Sequence, residues 1–483
     1  MKRPRNDMTI YYLIGSFLLA SAVYFNRDRR RNTWLSAIFL VLQTGFALCE
    51  TYRLNEPEPG YFHPGALSVL MLLTLSAIAI PAFYHSNIFI EKHKEDARER
   101  AYYYGSLILL VTAMSAAFLT SHIGVTWVFV EMTTLAASAL IYHRRNAKTL
   151  EATWKYVFIC SISISMVFIG ILLLSLALRD IDATDLTYTA LVKVAPRLDP
   201  FWLQLAFVFI FTGYTAKVGL VPMFNAGIDA KDKAPSPAGA LLSSSLMNVG
   251  FVGVFRFYEV VAQTTVLPWA SGIIMLGAVS SIFVAAVYMR SVMNMKRMFA
   301  YSSIEHAGIV MLGMAAGGLG YYAAVLHMVL HSLAKSSLFF QMGQVYRTFG
   351  TKDMTHMGSY FKYNQPGALV LVLGFIIVTA MPPSGMFISE FLVFRSLFEA
   401  HKIWILAIVL VLLTIIIWAF ATRLFAVIFT PPVKATGLPV EQIRGGTESI
   451  SQYFFLALVI VLGIFPPQQM VDLIQAAVAH FPK

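Results

Sequence analysis

The chain has 483 residues, of which 58% are hydrophobic and 13% charged, with a formal net charge of +11. Its mean hydropathy is +0.69. A soluble domain carries roughly 25% charged residues, so a soluble globular enzyme is excluded. The apolar runs are continuous and lack the alternation of about ten residues that marks a transmembrane β-barrel. The expectation is an all-α polytopic membrane protein, with the basic excess serving topology and not nucleic-acid binding.

About fourteen runs approach the 20 residues that a spanning helix needs. They cover residues 9–25, 34–50, 66–85, 103–119, 122–142, 153–178, 202–224, 236–260, 268–290, 302–316, 321–346, 367–396, 403–429 and 451–471. The N-terminus is basic and lacks a clear cleavage site, so the first run reads as a retained helix and not a signal peptide. Run 367–396 is too long for one straight helix and contains Pro382, Pro383 and Gly385, so it reads as broken. The connections after odd-numbered helices carry roughly twice the Lys and Arg of the others, which places them in the cytoplasm and both termini outside. Examples are Arg27 to Arg31, Lys92 with Lys94, and Arg144 with Arg145.

A second interrupted segment runs from Thr212 through Gly213 and Lys217 to Pro222. The two breaks fall in helices 7 and 12. A repeat of five helices inverts its second copy, and paired Gly/Pro interruptions are the sequence sign of inverted-repeat transporters. The alternative is two ordinary proline kinks. The predicted organisation is an N-terminal three-helix segment (1–102), a first repeat (103–260), a second repeat (268–429) and a C-terminal helix 14 (430–483).

An ionisable residue inside a span is costly unless paired or hydrated. Glu131 lies mid-span and Lys217 lies in broken helix 7. They read either as a structural ion pair or as a switchable pair whose opening moves a proton. His327, His331 and Lys335 recur every four residues and share one helix face. Histidine titrates near neutrality, so this stripe suits proton relay; a structural polar seam is the alternative. No third ligand is apparent beside the two histidines, so no metal is expected. Glu390 follows the second break, and His306 is a candidate for the same path. Glu305, His122, Lys155 and Arg256 read as interfacial or snorkelling. Asp180, Asp182 and Asp185 read as a solvated loop. The cysteines are Cys49 and Cys160, with no CxxC pair, no Walker lysine motif and no dinucleotide fingerprint, so no cofactor is expected in this chain.

Several stretches are similar to the proton-translocating, antiporter-like membrane subunits of respiratory complex I, Mrp-type antiporters and group 4 NiFe hydrogenases. They are Glu131–Thr134, Leu150–Tyr156, Gly213–Pro222, Lys296–His306, His327–Phe339 and Gly385–Phe391. Within that superfamily, Val130–Thr134 and His331–Ser336 look most like component F of hydrogenase-4. The resemblance implies fourteen core helices, two inverted five-helix repeats and a central hydrophilic axis. It also implies that Glu131 and Lys217 are the acid–lysine pair, and that Lys335 and Glu390 hold the distal positions of the proton path.

The implied function is proton translocation through half-channels in a redox-driven complex of the inner membrane. Its partners would be other membrane subunits with soluble NiFe and iron–sulfur subunits. The alternatives are an Mrp-type Na+/H+ antiporter subunit, a non-pumping scaffold for a redox arm, or an inorganic-carbon uptake module. Complex I relatives usually carry a helix 8 lysine eight residues before an arginine; counting back from Arg256 gives Asn248. The sequence ends shortly after helix 14, so the long lateral helix of the largest complex I antiporter-like subunit is not expected.

Overall fold

The computed structural model describes residues 8–54, 61–93, 95–179, 181, 184–434, 440–443 and 445–482. Lys94, Asp180, Asp182 and the basic residues of the N-terminus lie outside them. The described residues are almost wholly helical. In chain order the helices are α1 (Met8–Phe25), α2 (Arg29–Tyr52), α3 (Ala66–His93), α4 (Ala97–Leu119), α5 (Ile123–Ile141), α6 (Ala147–Arg179), α7 (Tyr188–Val194) and α8 (Pro200–Val218). Then come α9 (Asn225–Lys233), α10 (Ser236–Ser243), α11 (Ser245–Val261), α12 (Leu267–Met289), α13 (Met295–Ala316) and α14 (Leu319–Phe349). The last are α15 (Tyr360–Tyr363), α16 (Gln365–Val378), α17 (Gly385–Glu399), α18 (Ile403–Phe429), α19 (Ile450–Ile464) and α20 (Gln468–Val478).

Among the described residues, 12 helical spans are long and apolar enough to cross a membrane. The two remaining expected runs are also helical. One is α13, which carries Lys296, Arg297 and Glu305; the other is the pair α16 and α17, separated by the residues around Pro382 and Pro383. The expected run 451–471 ends early, at Ile464. Pro466 and Pro467 follow, and a residue before proline is pushed away from the helical region. The expected run 236–260 is interrupted at Ser244, where φ is −120° and ψ −90°. The Ser243 and Ser244 hydroxyls both bond back to the Ala240 carbonyl, at 3.1 and 2.7 Å.

The chain divides into two compact units. The first holds residues up to Val218, then Ser245–Ile273 and Asp472–Pro482; the second holds Gly219–Ser244 and Ile274–Val471.

In the first unit, α6 and α8 pack closely because both present glycine. A Cβ on Gly213 would lie 2.5 Å from the Ser163 carbonyl and 2.9 Å from the Val167 amide. Gly213 thus serves helix contact; the break falls after Val218, where Gly219 takes a φ of +87°. Gly213→Ile is expected to lower stability by about 1–3 kcal/mol through overpacking, read as a lower melting temperature in detergent. Arg256 does not snorkel. Its guanidinium donates to the Thr120 carbonyl and to the Ser68 hydroxyl, each at 2.7 Å, and to the Phe118 carbonyl. It thereby satisfies carbonyls that the end of α4 leaves without helical partners. His122 caps α5, its Nδ1 accepting from the Gly124 amide at 3.1 Å. Lys155 stays on the surface and pairs with Glu151 at 2.5 Å.

In the second unit α14 is the centre: its most apolar 18-residue window is 100% buried. By contrast α18 exposes Trp404, Val411 and Trp418, an apolar face suited to lipid. Buried Asp232 at the end of α9 draws Lys233, Lys352 and Arg297 around it. Ser384 caps α17, accepting from the Phe387 amide at 3.2 Å, so Gly385 opens the helix that carries Glu390.

Candidate functional site

Each unit holds a cluster of polar groups around a buried lysine. In the first unit Lys217 sits in the last turn of α8, 4% exposed. Its position against α11 depends on Gly250, where a Cβ would come within 2.8 Å of the Lys217 Cβ and the Val218 amide. Lys217 Nζ donates to Thr134 Oγ1 at 2.8 Å, to Thr133 Oγ1 at 3.3 Å and to the Tyr156 hydroxyl at 3.4 Å. Thr134 Oγ1 in turn donates to Glu131 Oε2 at 3.0 Å, and Ser161 donates to Glu131 Oε1 at 3.0 Å. Among the described residues Glu131 and Lys217 therefore meet through a hydroxyl and not in a direct ion pair. A hydroxyl has one proton to give and lone pairs to accept with, so Thr134 serves the ammonium and the carboxylate at once.

The second cluster is built by α13, α14 and α17. The spacing of His327, His331 and Lys335 does place all three together, and all are buried. Lys335 Nζ donates to Ser302 Oγ at 2.7 Å and to the Phe299 carbonyl at 3.4 Å. Buried Glu305, one turn further along α13, lies within electrostatic reach of this lysine. Higher in the same interface, His327 Nδ1 lies 2.9 Å from Ser389 Oγ, and His327 Nε2 lies 3.3 Å from His306 Nδ1. His306 Nδ1 is 3.6 Å from Glu390 Oε1. The His331 ring stands 5.3 Å from the His306 ring, centroid to centroid. Neither His331 nitrogen has a hydrogen-bond partner among the described residues. Glu390, His306 and His327 are therefore brought into one site, with His331 beside it.

Sequence reasoning placed Glu305 at the interface, yet it is only 4% exposed and belongs to the Lys335 cluster. Lys231 of α9 was not singled out at all. It is buried, within electrostatic reach of Lys335. Its polar neighbours Asp229, Asp232 and Lys233 give no sign of depth. Asn248 is fully buried in α11.

The sequence profile of the family described as NADH:quinone oxidoreductase/Mrp antiporter, TM, matches residues 120–416. A hydrogenase-4 component F homolog from Methylacidiphilum infernorum (isolate V4) is 27% identical over 474 residues, covering 96% of this chain and 97% of the relative. Among solved structures, a chain of the archaeal membrane-bound sulfane sulfur reductase superposes with a TM-score of 0.85 at 21% identity, covering 98% of both chains. A chain of the Mrp complex from Dietzia sp. DQ12-45-1b gives 0.84 at 14% identity, covering 98% of this chain and 97% of that one.

Proposed function

This chain belongs to the NADH:quinone oxidoreductase/Mrp antiporter transmembrane family, and on that premise we propose that it is a proton-translocating membrane subunit of a redox-driven complex of the hydrogenase-4 kind. The observation that carries the reading is the unit Lys217–Thr134–Glu131, in which a buried lysine is joined to a glutamate by one hydroxyl. A second buried lysine, Lys335, donates to Ser302 and lies within electrostatic reach of Glu305. The first unit can move a proton without a cofactor. A proton leaves the Lys217 ammonium for the Thr134 oxygen as the Thr134 hydroxyl proton passes to Glu131 Oε2. The hydroxyl is unchanged, and the charge has moved from lysine to carboxylate. In the second unit His306, His327 and Glu390 converge as further proton acceptors, with His331 beside them.

Thr134→Val keeps the shape and removes the bridge. Proton transport is expected to fall about tenfold, a barrier rise of ~1.4 kcal/mol, while Thr134→Ser keeps most of it. Proton uptake by vesicles holding the assembled complex reads both variants. Equal transport by the Val variant would show that the bridge is not used.

The driving chemistry lies, on this reading, in NiFe and iron–sulfur partner subunits of an inner-membrane complex, with both termini of this chain outside the cytoplasm. The two interrupted helices are read as equivalent members of inverted five-helix repeats. Pull-down of the tagged protein in gentle detergent, with partners identified by mass spectrometry, tests the assignment. Recovery of hydrogenase-like and iron–sulfur subunits supports it. Recovery of small antiporter subunits alone moves the assignment to an Mrp-type cation/proton antiporter, which the fold likeness to the Mrp chain favours as the second reading.

A further inference from the structure

We propose that His306, His327 and Glu390 form a binding site for one divalent transition-metal ion, of which Zn2+ is the probe. The expectation of no metal rested on the lack of a third ligand near His327 and His331 in sequence. The fold supplies that ligand set from three helices: His306 from α13, His327 from α14 and Glu390 from α17. One ligand atom from each lies within 4.8 Å of the others.

The distances suit a shared metal. The Nδ1 of His306 is 3.3 Å from His327 Nε2, within hydrogen-bond reach, and 3.6 Å from Glu390 Oε1. The second is longer than an ordinary charge-assisted hydrogen bond of about 2.7–2.9 Å. A tetrahedral zinc with bonds of about 2.0–2.1 Å has ligand–ligand edges of about 3.4 Å. The two edges that meet at His306 Nδ1 thus match the edges of such a site. Ser389 completes the arrangement from outside. Its oxygen, 2.9 Å from His327 Nδ1, can accept the ring proton there, which leaves the His327 Nε2 lone pair facing the site.

A second, independent observation points the same way. His331 is 1% exposed, and neither of its ring nitrogens has a hydrogen-bond partner among the described residues. A buried polar group left without a partner is costly. With its ring 5.3 Å from His306, this imidazole stands beside the cluster. Two imidazoles and one carboxylate suit zinc or another late first-row divalent ion; Mg2+ and Ca2+ prefer oxygen ligands alone.

This inference rests on the geometry of the cluster and not on its role in proton movement, so its failure leaves the proposed function standing; a bound ion would occupy the lone pairs that take protons and so block this part of the path. The test is equilibrium binding on the purified full chain in detergent, stripped with a chelator and titrated with Zn2+ against a chromophoric competitor. One tight equivalent per chain is expected. His306→Ala, His327→Ala and Glu390→Gln should each weaken it at least tenfold, and Ser389→Ala about tenfold, as loss of an outer-shell partner does. His122→Ala, outside the cluster, should leave it intact. X-ray absorption at the zinc edge of the unsubstituted protein guards against variants that misfold, and should show two imidazole ligands. Absence of a tight equivalent, its survival in both histidine variants, or a zinc spectrum without imidazole scattering overturns the proposal.

Discussion

Lys217→Ala is expected to reduce proton transport by the assembled complex at least tenfold, with partner assembly and redox turnover by the complex retained. The ammonium is the only cation in its cluster among the described residues, and it donates to three hydroxyls: Thr133, Thr134 and Tyr156. Alanine leaves Thr134 bonded to Glu131 with no proton donor behind it, so the relay cannot be recharged from that side. The readout is proton uptake into vesicles, with redox turnover measured in parallel. Transport equal to that of the unsubstituted complex would sink the relay and favour the non-pumping scaffold. Lys217→Arg makes an informative companion. Its guanidinium stays charged in proteins, so it should preserve packing better than alanine and still fail to release a proton.

Glu390→Gln should produce the second large effect, again at least tenfold on proton transport, without loss of the folded state. Glutamine is close in shape to glutamate, and the segment is held independently by the Ser384 cap and by the Ser396 hydroxyl, which donates to the Gly317 carbonyl at 2.6 Å. What changes is the chemistry at His306 Nδ1: a carboxylate that can take a proton becomes an amide that cannot. A histidine–carboxylate pair passes a proton through the site; a histidine–amide pair can only orient it. Unaltered transport alongside an unaltered melting temperature would remove Glu390 from the path.

Much of this was legible in the chain itself. Glu131, Lys217, His327, His331, Lys335 and Glu390 stood out because an ionisable group in an apolar run is costly and rare. The i, i+4 spacing in α14 needed only helical geometry to place three of them on one face. Glu305 and Lys231 were not legible as buried groups. Glu305 sits in a short apolar run after Lys296 and Arg297, and Lys231 sits among Asp229, Asp232 and Lys233. Local polarity there resembles a solvated connection, and only the packing of neighbouring helices removes the solvent. The bridging hydroxyls were equally hidden. Serine and threonine in apolar helices commonly bond back to their own carbonyls, as Thr379 does to Phe375 and Ser336 to Ser332. Nothing in the local pattern distinguishes them from Thr133, Thr134, Ser302 or Ser389, which meet other side chains. Gly213 looked like part of a break and proved to be a point of close helix approach, because sequence cannot say which neighbour a glycine faces.

The sequence by itself determined the helical spans, the interruptions near Pro222 and Pro382, and the short set of charges held at membrane depth. These follow from transfer free energies and backbone restrictions that act residue by residue. Only the tertiary structure decided that Lys217 meets Glu131 through Thr134, that Lys335 donates to Ser302 near a buried Glu305, and that His306, His327 and Glu390 share one site. Hydrogen bonds and ligand contacts depend on distances to within a few tenths of an ångström. Those distances are set by the rotation and depth of several helices packed together, which no single helix encodes.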